Sequence, residues 1–356
     1  MTHVPEALQA LGWNDWFAQR AQCEADDGIA RVAAVDRDQW LLIDAGGMFR
    51  AKLAGAFMHR QQAAHEAPCV GDWVCVRRQP SDDFGMVHAV LERRTVLQRK
   101  AVGSGAEVQM IAANVDVVVI VQSCHFDFNL KRLERYLVMV REGGADPIVL
   151  LTKTDLVAPE LRAAQEAQIR AAGIDVPILA LSNLTQDGVD ALERLLVPGK
   201  TYCFVGSSGV GKSTLINHLI GRVAQETGTV SGTGEGRHTT VRRELIRLNG
   251  GALVIDNPGM REFGIVAADE GLAGSYADID TLGAGCRFRD CTHTRERGCA
   301  VLAAVESGAL SRAHYDNFLK LRAESAFHEM SQVERRQKDR DFGKFIKSVK
   351  KSLKDD

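Results

Sequence analysis

The alternation of apolar and polar residues changes period along the chain. Between residues 29 and 91 the apolar runs are short: Ile29–Val35, Trp40–Ile43, Met48–Leu53, Val70–Val76 and Met86–Leu91. Gly46-Gly47, Gly71-Asp72 and Pro80-Ser81-Asp82-Asp83 separate them, so the spacing predicts five strands joined by turns. Five such strands suggest a small β-barrel, with the OB-fold the commonest candidate. From residue 117 strands alternate with helices. Val117–Val121, Pro147–Leu151 and Val176–Leu181 read as strands; Leu130–Val140, Glu160–Ala172 and Val189–Leu196 carry helical spacing. This alternation implies a parallel sheet with right-handed crossovers. Glu244–Leu248 and Ala252–Ile255 read as a hairpin turning at Asn249-Gly250-Gly251. The pattern divides the chain into an N-terminal extension (1–29) with one short helix, a barrel (30–110), an α/β domain (111–270) and a C-terminal segment with a polar helical tail (271–356).

Length and composition narrow the class. The chain has 356 residues, too many for one small domain, and its 45% apolar content supports buried cores. With a net charge of −2, any nucleic-acid contact must come from local patches. Arg77, Arg78, Arg93, Arg94, Arg99 and Lys100 form one such patch. It reads either as a solvated barrel edge or as an RNA platform, and the sequence leaves both open. Residues 1–6 lack a signal-peptide pattern, and no apolar run approaches the roughly 20 residues of a membrane helix. Cysteines 23, 69, 75, 124 and 203 are scattered, and three more lie at 286, 291 and 299. That distribution reads as a metal site in a reducing compartment rather than a disulfide framework, and so as a cytoplasmic enzyme.

The strongest motif is Gly206-Ser207-Ser208-Gly209-Val210-Gly211-Lys212-Ser213-Thr214, a G-x-x-x-x-G-K-S phosphate loop. Thr201–Val205 before it is a strand, and Leu215, Ile216, Leu219 and Ile220 after it recur at helical spacing. Backbone N–H groups and the helix dipole then converge on one spot, which favours a polyphosphate. Lys212 would reach the β- and γ-phosphates, and Ser213 would ligate magnesium. Thr152-Lys153-Thr154-Asp155 follows a strand, where G proteins read guanine. The Asp155 carboxylate can accept from N1–H and the 2-amino group, two donors that adenine does not offer. The order is unusual: Asp155 precedes Lys212 by 57 residues, and Asp256-Asn257-Pro258-Gly259 comes later still. This is a circular permutation, tolerable where a domain's ends lie close together.

At the other end, Cys286, Cys291, His293 and Cys299 offer three thiolates and an imidazole within fourteen residues. Four such ligands with no spare position describe a closed, structural zinc site. Spacing favours His293 over the nearby His314.

These motifs, with Gly236-Arg237-His238-Thr239-Thr240, make residues 30–330 resemble the circularly permuted, small-subunit-dependent RsgA/YjeQ GTPases. The resemblance implies an OB domain, a permuted GTPase domain and a zinc domain. It implies hydrolysis of GTP to GDP with magnesium, late in assembly of the 30S ribosomal subunit, with 16S rRNA as partner. A cytoplasmic monomer with no membrane attachment is expected. By the same pattern Thr239 or Thr240 resembles the switch threonine, Asp256 would hold magnesium, and the Gly259 N–H would sense the γ-phosphate. Many G proteins place a water-orienting glutamine after that glycine; here it is Met260, and His238 is the candidate replacement. Ser182 lies in the last base-contacting loop, followed by Asn183 where alanine is usual. Arg297-Gly298 likewise replaces a common proline-glycine before the last cysteine. Met260 keeps open a scaffold that senses GTP and hydrolyses it only incidentally. A P-loop nucleotide kinase with a zinc insertion is opposed by Thr152–Asp155.

Overall fold

The barrel strands form where the alternation places them. The computed structural model describes residues 6–60, 66–78, 84–100, 108–227, 243–256 and 269–329. The barrel comprises β1 (Gly28–Val35), β2 (Trp40–Asp44), β3 (Gly47–Leu53), β4 (Trp73–Arg78) and β5 (Phe84–Val90). They pair in the order β1-β2-β3-β5-β4, β3 runs parallel to β5, and β4 returns to β1 to close an OB-like barrel. Val32, Leu42, Phe49, Ala51, Val74 and Val87 fill its interior.

The N-terminal extension is more than one loose helix. It forms α1 (Glu6–Gln9) and α2 (Asp15–Arg20), and Leu8, Leu11, Trp13 and Phe17 are buried against Trp73 of β4. Trp13 meets Trp73 edge-on at 4.8 Å. Arg31 of β1 is the node of this junction. Its Nε donates to Gly71 O at 3.1 Å, Nη1 to Leu11 O at 2.5 Å and Nη2 to Asn114 O at 2.9 Å. Burial lowers its pKa to about 10, with Asp116 and Asp72 opposing the shift, so the group stays charged. One side chain thus holds the extension, the barrel and the approach to the α/β sheet together.

A short helix α3 (Gly55–Arg60) follows β3, and β6 (Val96–Lys100) pairs with β7 (Val108–Ala113) as a separate ribbon; these elements were not expected. Next come β8 (Val117–Ser123), α4 (Leu130–Glu142), β9 (Asp146–Thr152), α5 (Pro159–Ala171), β10 (Ile178–Ala180), α6 (Val189–Leu195), β11 (Thr201–Val205) and α7 (Lys212–Thr227). The hairpin is β12 (Glu244–Arg247) and β13 (Leu253–Asp256). The parallel strands run in the order β10-β9-β8-β11-β13. All seven residues of β8 are buried, because α4 and α5 cover one face of the sheet and α6 and α7 the other. Ala34 of β1 pairs with Glu244 of β12, so barrel and α/β strands form one eleven-stranded sheet.

The C-terminal helices are α8 (Asp269–Ser275), α9 (Ala277–Gly283), α10 (Ala300–Glu306) and α11 (Arg312–Glu329). Leu272, Tyr276, Ile279, Val301, Phe318 and Leu321 pack with Val138 of α4. Gly271 approaches α4 so closely that a Cβ there would lie 2.1 Å from Val138 O. Beside this contact His314 is buried between Glu134 of α4 and Asp278 of α9, while Asn317 donates to Glu134. Burial disfavours the imidazolium, but the two carboxylates outweigh it and raise the pKa to about 9. The stabilisation is therefore complete below the ordinary value of about 6.5 and lost as pH rises through about 9. Urea unfolding between pH 6 and 10 is expected to show a decline of a few kcal/mol, spread between about pH 6.5 and 9, that His314→Leu abolishes.

Four residues of the basic patch are engaged in ion pairs: Arg77 with Glu24 and Asp27, Arg78 with Asp44, Arg93 with buried Asp72, and Arg94 with Asp116. One expectation needs correction: the scattered cysteines are not all unpaired, since Cys23 and Cys75 are joined by a disulfide between the extension and β4. A separation of 52 residues gave no sign of that contact. The basic tail beyond residue 329 lies outside the described residues.

Candidate functional site

Strands β8, β9, β11 and β13 end together, and the loops that leave them build the site. The phosphate loop turns between β11 and α7. Gly206 has φ +144, and a Cβ there would sit 2.2 Å from Val121 O of β8, so only glycine fits. Lys212 folds back over the loop, donating from Nζ to Gly206 O at 2.7 Å and Ser207 O at 2.6 Å. Its ammonium is thus held over the cradle that the loop encloses. Burial lowers its pKa, with Asp127 and Asp256 opposing. Asp256 ends β13, and burial raises its pKa against the pull of Lys212. A carboxylate half-withdrawn from water beside a cation is a fitting donor for a divalent ion that phosphates would bring. Ser213 and Thr214 are exposed at the start of α7.

The loops after β9 and β10 meet the phosphate loop from the side. Thr152 is fully buried, and its Oγ1 donates to Val210 O at 2.6 Å. Lys153 adopts the left-handed conformation at φ 58, which points its ammonium over the Phe126 ring at 4.5 Å. Thr154 and Asp155 lie in the following 3₁₀ turn. The Ser182 hydroxyl accepts from the Leu184 and Thr185 N–H groups, both at 3.1 Å, and donates to Asp155 Oδ1. Two N–H groups on one oxygen commit its proton to the carboxylate, so Asp155 is held rigidly. Asn183 reaches the phosphate loop, its Nδ2 donating to Gly211 O at 3.0 Å. The sequence placed this loop at the site but gave Asn183 no partner. His238, Thr239, Thr240 and Gly259 lie outside the described residues.

The cysteine cluster forms a second centre. The donor atoms of Cys286, Cys291, His293 and Cys299 lie within 4.8 Å of one another. Cys286 Sγ is 3.8 Å from Cys299 Sγ, and His293 Nδ1 is 3.5 Å from both. Tetrahedral thiolates at about 2.3 Å from zinc would be roughly 3.8 Å apart, so the donor set fits such an ion. Ala300 N–H points at Cys286 Sγ and Leu302 N–H at Cys299 Sγ, placing both sulfurs at the positive end of α10. Burial raises the Cys286 pKa, but N–H groups at the helix start outweigh it and the net shift is downward. Gly298 supplies the turn without a preceding proline, at φ 79, packed on Arg287. Tyr315 OH donates to His293 O at 2.6 Å and fixes the histidine's backbone. His314 is occupied by Glu134 and Asp278 and does not belong to the cluster.

Known proteins share this layout. Residues 90–266 match the family model described as RsgA GTPase. A relative from Opitutus terrae, named small ribosomal subunit biogenesis GTPase RsgA, is 44% identical over 90% of each chain. The relative named RsgA 2 from Listeria monocytogenes is 41% identical over 98% of this chain and 97% of its own. The chain belongs to the RsgA GTPase family. Among solved structures, YjeQ from Thermotoga maritima superposes with a TM-score of 0.62 at 24% identity, over 84% of this chain and 99% of its own. YloQ, described as a circularly permuted GTPase, gives 0.61 at 25% identity over 87% and 100%. The permuted motif order of this RsgA-family GTPase is thus the order of its fold. Among the described residues no helix is long and apolar enough to cross a membrane.

Proposed function

We propose that this GTPase is a guanine-nucleotide switch that acts in maturation of the 30S ribosomal subunit, in contact with 16S rRNA. The observation that carries the reading is convergence: Asp155 with its Ser182 clamp, the phosphate loop and Asp256 stand at one end of the parallel sheet. The names of the relatives, which specify small ribosomal subunit biogenesis, supply the partner.

Asp155 reads the N1–H and 2-amino donors of guanine. The N–H groups from Gly206 to Thr214 enclose the phosphates, Lys212 meets the β- and γ-phosphates, and Ser213 and Asp256 hold magnesium. Thr239 or Thr240 closes on the γ-phosphate, the Gly259 N–H senses it, and His238 orients water in place of a glutamine at position 260. Magnesium supplies charge neutralisation; the chain's own part is to bind, orient and order the switch. Zinc at Cys286, Cys291, His293 and Cys299 is structural. The protein acts as a cytoplasmic monomer, with a barrel (30–110), a permuted GTPase domain (111–270) and a zinc-binding region with its tail (271–356).

The test is GTP hydrolysis by the purified protein, alone and with 30S or 50S subunits, with ATP as control. Strong stimulation by 30S alone, with ATP inert, is expected. Equal rates with and without 30S subunits would overturn the partner and leave the GTPase.

A further inference from the structure

The residue that departs from the family pattern in the last base-contacting loop sits at a mechanically sensitive point. Asn183 Nδ2 donates to Gly211 O at 3.0 Å, and the same carbonyl accepts the Leu215 N–H, also at 3.0 Å, as the first acceptor of α7. Gly211 has φ +101, and a Cβ on it would lie 2.8 Å from Asn183 Nδ2, so the carboxamide occupies space that only a glycine leaves open. Asn183 Oδ1 is buried and has no partner among the described residues. An unpaired buried acceptor is destabilising, so packing alone does not account for an asparagine here.

The consequence follows from peptide geometry. The C=O of Gly211 and the N–H of Lys212 belong to one rigid plane and point in opposite directions. Fixing the carbonyl on one side therefore aims the Lys212 N–H into the phosphate cradle on the other. Asn183 directly follows Ser182, whose hydroxyl clamps Asp155. The backbone step from 182 to 183 thus joins the group that reads the base to the group that orients the phosphate-loop peptide.

We infer that Asn183 is a positioning residue that couples base recognition to the phosphate loop, so that seating guanine against Asp155 pre-orients the Gly211–Lys212 peptide for the phosphates. The inference rests on the guanine-nucleotide reading of the site. Thr152 makes a parallel link to Val210 O, but from the strand end ahead of the carboxylate rather than from the clamp itself. With alanine at 183 the base would still be read, without transmission along this route.

The test uses the full-length protein and four ligands: the nucleotides GDP, ADP and inosine diphosphate, which lacks the 2-amino group, and the nucleoside guanosine, which lacks phosphates. Wild type is expected to prefer GDP over inosine diphosphate by about tenfold or more, as a hydrogen bond to a charged group implies. In Asn183→Ala, GDP binding is expected to weaken by about tenfold and inosine diphosphate binding by less than about threefold, so the preference shrinks. Equal weakening of both, or of neither, would overturn the coupling, since a merely structural role does not depend on the 2-amino group. Hydrogen exchange gives a second readout: guanosine should slow amide exchange across residues 206–213 in wild type but not in the variant. Equal slowing in both would also overturn it. Should the alanine protein fail to fold, Asn183→Ser and the wild-type exchange experiment decide, because guanosine must still slow exchange. Failure of wild type to prefer GDP over ADP would instead remove the base reading itself.

Discussion

Asp155→Asn is expected to weaken GTP binding roughly a hundredfold or more and to confer binding of xanthosine triphosphate. The carboxylate offers only acceptors, and guanine presents two donors along the facing edge. Each such charge-assisted hydrogen bond contributes about 1.5–3 kcal/mol, so losing even part of the pair is a large effect. The direction of the new preference comes from Ser182. Its hydroxyl accepts two backbone N–H groups and donates to Asp155 Oδ1, so a carboxamide at 155 must turn its oxygen toward Ser182. Its NH₂ then faces the base, opposing the 2-amino group of guanine but matching the 2-carbonyl of xanthine. Titration of fluorescent guanine and xanthine nucleotides, with a melting curve as the control for folding, measures both halves. GTP affinity within threefold of wild type would overturn the role of Asp155.

The parts of the molecule that were legible in the sequence are those written locally. Short apolar runs between turn residues mark β1 to β5, and the spacing of Gly206, Gly211 and Lys212 marks a turn into a helix whatever the rest of the chain does. The cysteines and His293 were readable for the same reason, since their ligand atoms are brought together by one short loop. Arg31 was not legible: it stands in an otherwise apolar strand, and its three acceptors, at 11, 71 and 114, come from distant segments. Nor was the latch of His314 with Glu134, 180 residues away, because each residue alone looks like an ordinary surface polar position. The arginines of the barrel stayed ambiguous for the same reason, because charge on a strand edge looks identical whether it meets solvent or a carboxylate. Asn183 falls between these cases. Its departure from alanine was visible, but its use depends on Gly211, which the permutation places downstream and the fold places beside it.

Cys299→Ala is expected to produce the largest loss of stability, because that residue has two separable roles. Its sulfur is one of four donors within 4.8 Å, and it also caps α10 by accepting the Leu302 N–H. Loss of a cap costs about 1 kcal/mol, whereas apparent zinc binding in small structural sites reaches about 10–16 kcal/mol. Residues 283–299 have few apolar groups of their own, and Cys286, Cys291 and Cys299, whose sulfurs would hold the ion, pack with the C-terminal apolar cluster. If the metal dominates, Cys299→Ser should fail nearly as badly as alanine, since a hydroxyl can cap a helix but is a poor zinc ligand. Both proteins should then lack the one equivalent of zinc that mass spectrometry of the intact wild type is expected to find. Both should also melt the C-terminal helices early, as chelation of wild type would. If the cluster holds no ion, serine should restore most of the stability that alanine loses, and chelator should change nothing. GDP binding is expected to survive in either variant, because the cores beneath the phosphate loop are built from β8, β9, β11 and their helices and not from α10. Loss of the metal would therefore uncouple the C-terminal helices from α4 while the nucleotide site stays intact. In the 30S assay that protein would bind GDP normally and show whether the metal-held region is needed for stimulation.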